Sequence, residues 1–150
     1  DYKNIKIQNC TLEEIVSTKA NLNSMEDCFG SLEMEETTFP DNYRQFDSDN
    51  YSVEFIDNGN GFELTFFEIL SSEVTVNINN RIASIGMNID SFINSNKGVL
   101  VSELKTNTQN SYAFSSNEDD SSVLVKQEDY FIIEFDANSR VISKIYWLIL

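Results

Sequence analysis

The two halves of this chain run through the same order of patterns, and that echo restricts the fold more than any single motif does. Thr11-Leu-Glu-Glu-Ile-Val16 and Asn88-Ile-Asp-Ser-Phe-Ile93 share one scheme: a capping residue, an apolar residue, an acid, a polar residue, then two apolar ones. Val74-Thr-Val-Asn-Ile78, a turn and Arg81-Ile-Ala-Ser84 likewise match Phe131-Ile-Ile-Glu-Phe135, a turn and Arg140-Val-Ile-Ser143. The spacing predicts a helix-then-sheet unit used twice, over about residues 1–86 and 87–150, in an α+β chain. A length of 150 residues suits one domain covering 1–150.

Local signals fill in the units. Thr11-Leu-Glu-Glu is a capping box followed by the apolar stripe Leu12, Ile15 and Val16. Ser24 to Gly30 predicts a second short helix capped by Ser24 and stopped by Gly30. Tyr51, Val53 and Phe55 alternate with Ser52, Glu54 and Ile56, which predicts a strand. Asp57-Asn-Gly-Asn-Gly61 is the strongest turn signal, with Phe62 to Leu70 as the returning strand. Further strands are expected at 74–78, 81–85, 111–115, 123–127 and 130–135. The stretch from Lys97 to Gln109 reads as a short helix or an irregular strand.

Charge and composition remove whole classes of chemistry. The formal net charge is -15 and there is no histidine, so catalytic triads built on imidazole, His-ligated zinc or haem, and a histidine pH switch are excluded. The negative sign argues against nucleic acid as a partner, because phosphates must be met by Lys and Arg. Eleven Phe, six Tyr and one Trp are ample for a packed core, so wholesale disorder is not expected. No run of about 18 apolar residues is present to span a membrane. The first helix candidate starts near residue 11 with no Ser/Gly-rich tether before it. A cytoplasmic location is therefore expected, with a periplasmic or secreted one after signal removal as the alternative. Cys10 and Cys28 read first as two small buried hydrophobes, and otherwise as one disulfide favoured by export.

Gly86-Met-Asn-Ile-Asp-Ser-Phe resembles the Gly-Met-Thr-x-x-x-Val opening of the repeat in the family of β-lactamase inhibitory protein and small outer-membrane assembly lipoproteins. The segment from Tyr130 to Leu150, with Trp147 near its end, is similar to that family's last hairpin. Asp47-Ser-Asp-Asn-Tyr51 stands where the first unit of the inhibitor carries a target-entering Asp-Tyr loop. Asn9-Cys10-Thr11 departs from Gly-Met-Thr in the first unit, and the Gly-Pro that often ends the helical pair is not clear in either unit. The resemblance implies two tandem helix-helix-antiparallel-sheet units forming one continuous concave sheet backed by helices.

Between Glu33 and Asp57 eight acids stand against one base, Arg44, and Glu118-Asp119-Asp120 adds a second acidic cluster. Acids on solvated faces keep a protein soluble; they also steer and hold a basic partner. The expected partner-binding residues are Tyr43, Phe46, Asp47, Asp49, Tyr51, Glu54, Tyr112, Glu118, Asp119, Asp120 and Trp147, with the aromatics as anchors. Trp147 also fits a plain core role in the alternation Ile145, Trp147, Ile149. Asp47 to Asn50 and Asp57 to Gly61 are oxygen-rich but lack the bidentate Glu of an EF-hand, so no metal or other cofactor is assigned. A two-carboxylate hydrolase is formally open, yet no pair of acids is singled out. The expectation is a non-enzymatic immunity or inhibitor protein that occludes the basic active site of a nuclease-like toxin or other enzyme. The alternative is an exported envelope lipoprotein or scaffold domain.

Overall fold

The computed structural model describes residues 5–78, 81–95, 100–105, 109–115, 129–136 and 138–149. The chain opens with two short strands, β1 (Ile5–Ile7) and β2 (Cys10–Thr11), which the sequence did not predict. Helix α1 (Leu12–Ser17) follows. Thr11 Oγ1 accepts from the Glu14 amide at 3.1 Å while the Thr11 amide donates to the Glu14 carboxylate at 3.2 Å, so the capping box is formed. Helix α2 (Leu22–Phe29) begins earlier than expected. Its N-cap is Asn21, whose Oδ1 accepts from both the amide and the hydroxyl of Ser24. Gly30 ends it at φ 77°, a conformation open to glycine.

Eight strands form the main sheet, all antiparallel, in the order β3-β4-β5-β6-β12-β11-β10-β9. They are β3 (Glu33–Thr37), β4 (Asn42–Asp47), β5 (Tyr51–Asp57), β6 (Phe62–Ile69), β9 (Leu100–Lys105), β10 (Gln109–Ser115), β11 (Asp129–Asp136) and β12 (Ile142–Ile149). The ambiguous stretch after Lys97 thus contributes a strand, β9. The strand expected at 123–127 lies outside the described residues. Asp57 Oδ1 accepts from the amides of Gly59 and Gly61 at 2.8 and 3.1 Å, and both glycines take positive φ, so the turn before β6 closes as predicted.

The hairpin of β7 (Val76–Ile78) and β8 (Arg81–Ala83) does not join this sheet. It pairs with β1 to make a second antiparallel sheet, β2-β1-β7-β8, with Ile7 opposite Val76 and Ile5 opposite Ile78. Helix α3 (Ile89–Ser95) follows, and its Asp90 is clamped by Arg140 through bonds of 2.8 and 2.6 Å.

These facts overturn the expected fold class. Among the described residues the chain is mostly β, in two antiparallel sheets, and its three helices are only 6, 8 and 7 residues long. Helices of two turns or less cannot back eight strands. The buried face of the main sheet instead shares one core with the small sheet and the helices together. Phe46, Val53, Phe55, Phe67, Phe135, Ile145 and Trp147 come from the main sheet. Ile5, Ile7, Val76 and Ile78 come from the small sheet, and Leu12, Ile15, Met25, Ile89 and Phe92 from the helices. The Phe29 ring at the end of α2 lies 4.6 Å from Tyr51 and 5.5 Å from Phe67, seating that helix on β5 and β6.

Cys10 and Cys28 are joined by a disulfide across 18 positions, tying β2 to α2, so the reading of two free buried thiols is also corrected. Closing a loop of this length restricts the unfolded chain and stabilises the fold by about 3 kcal/mol. The double variant Cys10→Ser/Cys28→Ser should lose about that much in urea unfolding, and adding reductant should not lower it further.

Candidate functional site: the open face of the main sheet

Side chains alternate across a strand, so the parity that buries Val53, Phe67 and Trp147 sends their neighbours to the opposite face. From β3 to β6 the side chains on that face are exposed or half-buried. In register across it run Glu33, Asp47, Ser52, Glu68 and Tyr146, a row that ends at the buried Ile132. The next row is Glu35, Gln45, Glu54 and Phe66. Glu134 stands one strand step beyond Ile132. Against these carboxylates, the described residues of the face offer one ammonium group. It belongs to Lys144, whose Nζ is 4.0 Å from Glu68 and 5.0 Å from the Tyr146 ring centre.

The carboxylates take their hydrogen bonds chiefly from neutral groups. Tyr146 donates its phenol to Glu134 at 2.9 Å, Thr65 donates to Glu54 at 3.1 Å, and Gln45 donates through Nε2 to Asp47 at 3.1 Å. Tyr43 in turn donates to Gln45 Oε1. Neutral donors orient the carboxylates without cancelling their charge, so the face keeps its negative field. Its effect is visible on the two tyrosines. Burial, the hydrogen bond to Glu134 and the nearby charges of Glu134 and Glu68 push the Tyr146 phenol far above its ordinary value. Burial, then Glu54 and Asp47, raise Tyr43 as well.

The expected site residues divide sharply. Tyr43, Asp47 and Glu54 stand on the open face, and Asp49 lies in the β4–β5 turn, where Ser48 Oγ accepts from the amides of Asn50 and Tyr51. Phe46, Tyr51 and Trp147 are 0, 2 and 1% exposed. They are core residues and cannot reach a partner, because each shares strand parity with the buried set. Tyr112 lies in β10 opposite Ile133, and its side chain is outside the described residues. Glu118, Asp119 and Asp120 lie outside the described residues too. Sequence reasoning missed Glu35, Glu68, Glu134 and Tyr146. Parity could have found Tyr146 and Glu68, each flanked by a core aromatic, Trp147 or Phe67.

Two depressions flank the β3–β4 hairpin. One, of about 470 Å3, is lined by Ser31, Leu32, Glu33, Asp47, Ser48 and Asp49. The other, of about 200 Å3, is lined by Thr37, Phe39, Pro40, Asp41, Tyr43 and Ile56. Asp57 is engaged by turn amides, and no described group of three or more Cys, Asp or Glu is placed to hold a metal ion. No described helix is long and apolar enough to cross a membrane. Comparison with known proteins finds no matching family model, no matching curated protein and no matching solved structure.

Two outcomes follow from this geometry. Trp147→Ala should cost about 3–5 kcal/mol in urea unfolding, as a large buried side chain does. The Tyr146 phenol keeps its proton in the folded state at a pH where the unfolded chain, with its ordinary value of 10.0, has begun to lose it. Folding stability should therefore be fully held below pH 10 and fall as pH rises above it. In Tyr146→Phe, denaturation followed between pH 9 and 11.5 should show a shallower fall.

Proposed function

We propose that this protein is a non-enzymatic binding protein that occludes a basic surface on another protein, most simply the substrate-binding cleft of a nuclease-like toxin or another enzyme. The observation that carries this reading is the open sheet face, whose carboxylates take their hydrogen bonds chiefly from neutral donors. A nuclease must present cations to hold phosphates, so an anionic face competes on the same field. Tyr43, Phe66 and Tyr146, half-buried among the acids, supply amphipathic contact area of the kind that anchors interfaces. The resemblance of Gly86 to Phe92 to the opening of an inhibitor-family repeat points the same way.

The Cys10–Cys28 disulfide favours a second reading, an exported envelope scaffold domain that binds another envelope protein. Such bonds persist in oxidising compartments and are rare in the cytosol. Protein taken from the intact cell under alkylating conditions should show the mass of an oxidised pair if the chain is exported, and of two blocked thiols if it works in the cytoplasm.

The test of the inhibitory reading is a stoichiometric titration against basic enzymes, beginning with a nuclease encoded beside this chain's gene. Inhibition should saturate at a fixed ratio. The variant Asp47→Lys/Asp49→Lys/Glu68→Lys should weaken it at least about tenfold at low salt, with a smaller gap at high salt and an unchanged circular-dichroism spectrum. Equal inhibition by the two proteins at low salt would remove the charge-based mechanism.

A further inference from the structure

The main sheet ends at β3, and among the described residues no strand pairs with its outer edge. All five residues from Glu33 to Thr37 are exposed. An edge like this carries a row of backbone donors and acceptors ready to pair with another extended chain. Its side chains decide which chain. In an antiparallel pairing of two copies through β3, either Glu35 of one copy lies opposite Glu35 of the other or Glu33 lies opposite Glu35, and like charges opposite one another destabilise a sheet. The sequence of this edge therefore disfavours a second copy and favours a strand of opposite sign.

We infer that the outer edge of β3 receives an extended, lysine- or arginine-bearing segment of a partner protein by strand addition. Backbone pairing along β3 supplies affinity, and alternate side chains supply selectivity. Cations on alternate positions of the incoming strand meet Glu33 and Glu35, with Asp47 one strand further in. The two depressions extend the track past both ends of the strand. At the Glu33 end the larger one is lined by Asp47 and Asp49 and suits a cation. At the Thr37 end the smaller one, with Phe39 (84% exposed), Tyr43 and Ile56, suits an apolar side chain. A segment of roughly seven residues is long enough to reach both. This inference deepens the binding-protein reading and rests on it only for the sign of the partner's charge.

The test uses labelled synthetic heptapeptides and fluorescence anisotropy on the whole protein. One peptide alternates lysine and threonine and ends in leucine, and a second has glutamate in place of lysine. Two more are lysine peptides N-methylated on one or the other alternate set of amides. The unmodified lysine peptide should bind and the glutamate peptide should not. Only one methylated set should lose binding, by roughly tenfold or more, because only that set's amides face β3. Glu33→Lys/Glu35→Lys should abolish binding, whereas Glu54→Lys/Glu68→Lys on the open face should reduce it less. Failure of the lysine peptide to bind, equal binding by all three lysine peptides, or a stable dimer of the protein alone in sedimentation would overturn the inference. Such a result would leave the open-face reading standing as long as the enzyme titration still responds to Glu68→Lys. Register-selective peptide binding with no basic enzyme inhibited would do the reverse.

Discussion

The pairing of β6 with β12 is the constraint on which the architecture depends. Among the described residues it is the seam where the first four strands of the main sheet meet the last four. Its register sets Phe67 opposite Trp147 and Ile69 opposite Ile145 on the buried side, with Glu68 opposite Tyr146 on the other. A slip of one residue would exchange the two sets, placing a carboxylate in the core and a tryptophan in water. That penalty holds the seam in one register, and every row of the open face inherits its alignment from it. The Arg140–Asp90 clamp and the 2.8 Å bond from the Gly86 amide to the Ile142 carbonyl fasten α3 and the chain before it to the start of β12.

From that register follows the electrostatic character of the open face. Glu33 and Asp47 stand directly opposite one another on β3 and β4, where Cβ atoms are about 5 Å apart and like charges repel unless water or counterions screen them. Exposure to water keeps the cost small. The neutral hydroxyls and amides of Thr65, Gln45 and Tyr146 hold the carboxylate groups in place without supplying positive charge. The acids continue out to β3, whose outer edge pairs with no strand among the described residues.

Much of the local structure was legible in the residues. The Thr11 capping box, the Asp57 to Gly61 turn and the alternation through Tyr51, Val53 and Phe55 each rest on interactions within a few positions, and each formed. What went astray was the use of residue identity in place of parity. Phe46 and Tyr51 suggest partner anchors because they are aromatics among acids, whereas Trp147 fits either a core role by its alternation or an anchor by the family resemblance. Yet Tyr51 shares its face with Val53 and Phe55, and Trp147 shares its face with Ile145. The small sheet was missed for another reason. A three-residue strand such as Ile5–Ile7 carries too short an alternation to stand out, and its pairing with Val76–Ile78 spans about seventy positions.

Taken alone, the sequence determined the helix caps, the tight turns, the period-two strands and the sign of the surface charge, because each depends on near neighbours or on composition. Only the tertiary structure decided which strands share a sheet, that the hairpin after Val74 leaves the main sheet for β1, and that the small sheet and the helices share a core with one face of the main sheet. It also decided that Cys10 and Cys28 meet. Those outcomes depend on contacts between residues far apart in the chain, where many pairings satisfy the same local pattern and the shared core selects among them.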